Sequence, residues 1–148
     1  MFSLNKMNNF LTDNEMASLV EAIKTAESQS TGEIRVHIDS NTDFELAKKA
    51  VDVFNELHMA KTKERNAVLF HVNFEQKYLT IIGDIGIHDK VHQSFWDELH
   101  DEITSEFAKG NYFIGLKDAI IKTGLKLKTY FPFEGENINE LPDEITFS

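Results

Sequence analysis

The sequence predicts an α/β chain: a three-layer α/β/α sandwich on a small mixed β-sheet, in one domain. Three observations carry that reading. Apolar residues switch between helical spacing and strand patterning in the order helix, strand, helix, strand, strand, helix, helix. A helix separates the first two strands, which makes them parallel, whereas a short loop joins the second to the third and makes them antiparallel. The length of 148 residues suits one core, since a domain of this size buries roughly 70% of the surface its unfolded chain exposes.

The first helix spans Leu11 to Gln29, with Met16, Leu19, Val20 and Ile23 on its apolar stripe. Thr12 and Glu15 form a capping box at its start, Leu11 packs on Met16 as a hydrophobic staple, and Ser28 to Gly32 ends it. Glu33 to Ile38 alternates as a strand, Ile34, Val36 and Ile38 on one face and Glu33, Arg35 and His37 on the other. A polar turn from Asp39 leads to a second capping box, Thr42 to Glu45. After it Phe44, Ala47, Val51 and Phe54 mark a helix to about His58.

Asn66 to Val72 is almost wholly apolar and so reads as a strand covered on both faces, with Lys77 to Gly83 as its hairpin partner across the loop Asn73 to Gln76. Pairing brings Gly83 and Asp84 beside Arg65 and Asn66 at the sheet edge where Glu33 also begins its strand. The turn Gly83-Asp84-Ile85-Gly86 opens a helix carrying Val91, Phe95, Leu99, Ile103 and Phe107, with Trp96 straddling the edge of the stripe. Gly110 breaks it. A last helix runs from Tyr112 to Tyr130 with Phe113, Leu116, Ile120 and Leu127 inward. The expected division is an N-terminal extension over 1–9, a domain over 10–132, and an acidic, mobile tail over 133–148. A further short strand has no assigned place.

Composition removes several function classes. The formal net charge of -10, with no run of Lys and Arg, opposes nucleic acid and anionic membrane. The chain has no Cys, so disulfides, thiol catalysis and Cys-ligated zinc are absent, as suits a reducing cytosol. No segment has the roughly 20 apolar residues of a membrane span, nor the pattern of a signal peptide. The expectation is a soluble, cytoplasmic protein. P-loop, dinucleotide-binding, serine-hydrolase and zinc-protease motifs are all missing.

Two groups of polar residues are candidate sites. At the strand-start edge Glu33, Asn66, Asp84, His88 and Asp89 gather oxygen ligands of the kind Ca²⁺ or Mg²⁺ prefers, with Arg65 as a nearby anion-stabilising group. The competing reading has Asp84 and Asp89 capping turn and helix while Arg65 pairs with Glu33. At the opposite end, Asp39, Asn41 and Asp43 follow a parallel strand and form a second candidate metal site, or an ordinary turn. His88 and His92 at i,i+4, with His100 further along, match a transition-metal spacing but equally a solvated face.

Four stretches together resemble the TPM-domain family, which includes thylakoid-lumen proteins of photosystem repair and bacterial envelope proteins. They are Ser30-Thr31-Gly32-Glu33-Ile34, Arg65-Asn66-Ala67-Val68-Leu69, Gly83-Asp84-Ile85-Gly86 and the segment FAKGNYFIGL from Phe107 to Leu116. The resemblance covers Phe10 to Pro132. It implies an α/β/α sandwich, divalent-cation binding in some members and an acid-phosphatase activity proposed for plant relatives. This chain departs from the pattern at His88, where the family carries an acidic residue. The function expected is a cation-binding, non-catalytic interaction module docking a protein partner. The alternative, implied by the resemblance, is a metal-dependent acid phosphatase on phosphomonoesters, with metal-bound water as nucleophile, Asp84 or Asp89 as ligand or base, and Arg65 stabilising the phosphoryl group.

Overall fold

The computed structural model describes residues 10–40, 45–133 and 143–148. Helix α1 (Asp13–Ser28) starts at the expected capping box: the Glu15 amide donates to Thr12 Oγ1 at 3.1 Å and the Thr12 amide to Glu15 Oε1 at 2.9 Å. Strand β1 (Glu33–Asp39) follows, then α2 (Leu46–Glu56), β2 (Ala67–Asn73), β3 (Tyr78–Gly83), α3 (Ile85–Ala108), α4 (Tyr112–Tyr130) and β4 (Thr146–Phe147).

The sheet order is β3-β2-β1-β4. β1 is parallel to β2 with Glu33 opposite Ala67, and β2 is antiparallel to β3. The strand directions of the mixed sheet match the expectation, while Gly83 sits opposite Val68 and not beside Asn66. β4 lies parallel on the other side of β1, pairing Thr146 with His37. That corrects the reading of 133–148 as a mobile tail for its last residues: the amide of Ser148 donates to Ile38 and that of Ser40 to Ser148, both at 2.9 Å. Thr146 and Phe147, a two-residue strand with one apolar side chain, gave no strand signal, because the pairing partner lies over a hundred residues away.

One face of the sheet, Ile34, Val36, Ile38, Val68, Phe70 and Val72, packs with α1, α3 and α4 into the main core, into which Phe10 also inserts. Leu69 and Ala67 point the other way, against Val53, Phe54 and Met59. Strand β2 is thus buried on both faces, as its nearly continuous apolar run requires.

Two inward rows differ from those the spacing predicts. On α2 the buried residues are Leu46, Ala50, Val53 and Phe54, while Val51 is half exposed and Ala47 is outside; the capping box at Thr42 to Glu45 falls mostly on residues outside those described. On α3 the backbone of His92 leaves the helical region (φ 65°, ψ 170°), so the turn after it is rotated out of phase. Trp96 therefore replaces Phe95 in the buried row and is core rather than border, at 6% exposure.

Candidate functional site

Strand β1 alternates as read, but its polar face is not solvated. Glu33, Arg35, His37 and Asp39 are 2%, 7%, 5% and 0% exposed, which is unusual for charged side chains unless each is paired or liganded. The row has two halves with different chemistry.

At the first half, Glu33 meets Glu27 from the last turn of α1 and Asp143, three residues before β4. Ligand oxygens of the three carboxylates all lie within 4.8 Å of one another. Glu27 Oε2 accepts the Ile34 amide at 2.8 Å, which fixes the carboxyl against the strand. Burial, and then hydrogen bonding to Asp143 and Glu33 with the charge of Glu33, pushes the Glu27 carboxyl far above its ordinary value. At neutral pH Glu27 holds a proton because its charged form would be buried away from water. Arg35 is the next residue on this face. Burial lowers its guanidinium from the ordinary value, while the carboxylates of Glu144, Glu27 and Asp143 work in the other direction.

At the second half, His37 is held between two hydroxyls of the C-terminal segment, Nδ1 to Thr146 Oγ1 and Nε2 to Ser148 Oγ, both 2.7 Å. Its ring stacks on His71 with centroids 5.5 Å apart. Burial first, and the neighbouring His71 second, lower His37 to about 4. Burial also lowers His71, whose Nε2 lies 3.3 Å from Asp39 Oδ2, with Lys49 Nζ 4.0 Å from the same oxygen. Both rings are neutral at pH 7.

The residues of the first predicted site are placed as follows. Glu33 belongs to the carboxylate group just described. Asp84 is engaged elsewhere: Arg65 donates to it from Nε at 2.6 Å and Nη2 at 2.8 Å, and Oδ1 also caps the Ile85 amide at 2.8 Å. The capping role of Asp84 is as read, but Arg65 pairs with Asp84 and not with Glu33. Asn66 donates from Nδ2 to Thr31 Oγ1 at 3.1 Å, His88 Nδ1 accepts the Trp96 indole N–H at 3.1 Å, and Asp89 is exposed. Among the described residues, three potential ligand side chains converge only at Glu27, Glu33 and Asp143. In the second predicted site Asp39 is buried beside His71, and Asn41 and Asp43 lie outside the described residues. The three helix histidines separate: His92 forms the break in α3, and His100 Nε2 is 3.0 Å from the Leu79 carbonyl.

The turn at Gly83 and Gly86 is set by close packing. A Cβ on Gly83 would stand 2.4 Å from Trp96 Cζ2, and one on Gly86 would stand 2.1 Å from the Glu64 carbonyl oxygen. Glycine there lets α3 lie directly on the 62–66 loop, and the Gly86 amide donates to the Arg65 carbonyl at 2.8 Å.

Glu27 was missed, although it carried a signal: it follows Ile23 by four residues on the inward stripe of α1, where an acid needs a reason. Arg35 was read only as part of a polar face. Asp143, Thr146 and Ser148 had no local signal.

A family model described as the TPM domain matches residues 4–124. No curated protein matches. The NMR structure of the BA42 protein from the psychrophilic bacterium Bizionia argentinensis is 41% identical, with a TM-score of 0.88 over 98% of this chain and 100% of that one. The solution structure of the N-terminal domain of a P. gingivalis protein shares the fold at 17% identity, with a TM-score of 0.70 over 86% of this chain and 83% of that one. With its sheet order, its Gly83–Gly86 turn and these matches taken together, the chain belongs to the TPM-domain family.

Proposed function

We propose that this TPM domain binds a hard divalent cation, Ca²⁺ or Mg²⁺, through Glu27, Glu33 and Asp143, and serves as a non-catalytic module. The observation that carries the reading is the convergence of three carboxylates within 4.8 Å, two of them buried. Oxygen-only donors suit these ions, and water or backbone carbonyls complete their coordination. A cation would displace the proton that Glu27 holds and so relieve the repulsion that raises its carboxyl. Of the first predicted ligand set this keeps Glu33; Asp84 is already engaged by Arg65. That engagement also weighs against the catalytic roles implied for Asp84 and Arg65, since each neutralises the other.

Titration with Ca²⁺ or Mg²⁺ followed by amide NMR is expected to shift resonances around Glu27 to Glu33 and at Asp143. Calorimetry in buffers of different ionisation heat should register proton release of about one per ion at pH 7. Glu33→Gln should abolish binding. Glu27→Gln, an isostere of the protonated acid, should keep the fold and lose both binding and proton release. Shifts confined to Gly83 to Asp89, or none at all, would overturn the assignment. Turnover of an aryl phosphate that disappears in Glu33→Gln would overturn the non-catalytic part.

A further inference from the structure

Helix α4 is basic in an acidic protein. It carries Lys117, Lys122, Lys126 and Lys128 against one Asp118, in a chain of formal charge -10. Its outer side also keeps three large aliphatic side chains in water: Ile114 at 50%, Ile121 at 45% and Leu125 at 57% exposure. Spaced i, i+7 and i+11, they fall on one stripe over roughly 16 Å of helix, and Lys117 and Lys128 lie on the same stripe. Beside this ridge runs a groove of about 330 Å³ between α1 and α4, floored by Ala22, Ala26 and Gly124 and walled by Ile121 and Leu125. The floor is low because the two helices touch: a Cβ on Gly124 would sit 2.7 Å from that of Ala26.

We infer that this ridge and groove dock an amphipathic helix of a partner protein whose apolar stripe is flanked by acidic residues. The 7-and-4 spacing is that of a helix–helix seam, and small residues on the floor let a second backbone come close enough for knobs to enter. The charge of the partner follows from Lys117 and Lys128 on the stripe, whose stems extend the apolar surface while their ammonium groups select carboxylates; the one acid lining the groove, Glu21, is paired with Lys24. A second copy of this chain is a poorer occupant. Its own α4 would set lysine against lysine, α2 exposes only Val51 and α3 only Ile85 among their large apolar residues. An anionic lipid surface would be repelled by the remainder of the chain. The surface goes beyond the cation reading and does not depend on it.

The probe is a cross-linked helical peptide of three heptads with Leu at a and d and Glu at e and g, titrated into isotopically labelled protein. Saturable shifts confined to residues 18–29 and 114–128 are expected. Exchanging every Glu of the peptide for Lys should weaken binding at least tenfold. Ile121→Glu with Leu125→Glu should do the same at unchanged melting temperature, because both side chains are half exposed. Glu33→Gln should bind the peptide as the parent does, so that failure here and failure of the cation site are separate results. No shifts with either peptide, or equal binding of both, would refute the proposal. So would self-association or binding to phosphatidylserine vesicles that the double variant abolishes, since each would assign the face to another occupant.

Discussion

Gly83 and Trp96 should behave as one energetic unit. In Gly83→Ala the new methyl would have to occupy space 2.4 Å from Cζ2 and 2.9 Å from Cη2 of the indole. The ring is buried, and its N–H is tied to His88, so it cannot swing away freely. Overpacking of this kind costs about 1–3 kcal/mol. Trp96→Ala removes a core ring and should cost about 3–5 kcal/mol, which for a chain of this length lowers the melting temperature by roughly 6–20 °C. In the double variant the methyl meets no ring and fills part of the hollow that the ring leaves. The double cost should therefore fall about 1–3 kcal/mol short of the sum. Urea unfolding followed by far-UV circular dichroism measures all four proteins, because the only Trp is lost in two of them. Additivity within about 0.5 kcal/mol would refute the packing argument, since independent sites add to that precision.

Gly86→Ala should be worse than Gly83→Ala, because its Cβ would meet two backbone carbonyl oxygens, of Glu64 and Arg65, at 2.1 and 2.6 Å; a melting temperature within a degree or two of the parent would show that the loop yields. Stability should also fall in acid through His37. Its folded value of about 4 lies below the ordinary 6.5, so the unfolded chain takes up the proton first; the contribution is complete above about 6.5 and is lost as the pH falls towards 4. The loss is on the order of 2–3 kcal/mol, discounted for partial solvation, and His37→Gln should flatten the urea midpoint between pH 7 and 5 relative to the parent. Glu27 acts with the opposite sign. Its raised carboxyl favours the folded state while protonated and opposes it as the pH rises above the unfolded value of 4.5, so Glu27→Gln should gain stability over the parent increasingly from pH 5 to pH 9. Equal curves for the two proteins would show that the carboxyl is not strained by its neighbours.

Periodicity and turn chemistry made the fold legible because they are local. The Thr12–Glu15 box, the alternation of Ile34, Val36 and Ile38, the apolar run of β2 and the Asp84 cap each sit within a few residues of what they determine. The errors arose where a local period was broken or continued by something remote. A single residue out of the helical region at His92 moved Trp96 inward and left Phe95 only partly buried against the core. The candidate site was legible only at Glu33. A strand of alternating polar residues looks the same in sequence whether water or protein covers it, and here the face is closed against solvent, with the last residues of the chain holding His37. Asp143 approaches Glu27 because β4 pairs with β1, and no spacing within either segment encodes that pairing.

The hydroxyl of Thr146 contacts a ring that precedes it by 109 positions. During synthesis at roughly 5–20 residues per second, β1 therefore exists for about 5–20 s before its outer edge can be covered. In that interval β2 can pair on one side, but the other side presents unpaired amide and carbonyl groups beside a row of acids, an arginine and a histidine. Charged groups left wet along an open edge discourage a second nascent chain from adding to it. The same side chains that are costly to bury in the finished sheet thus guard it while it is incomplete.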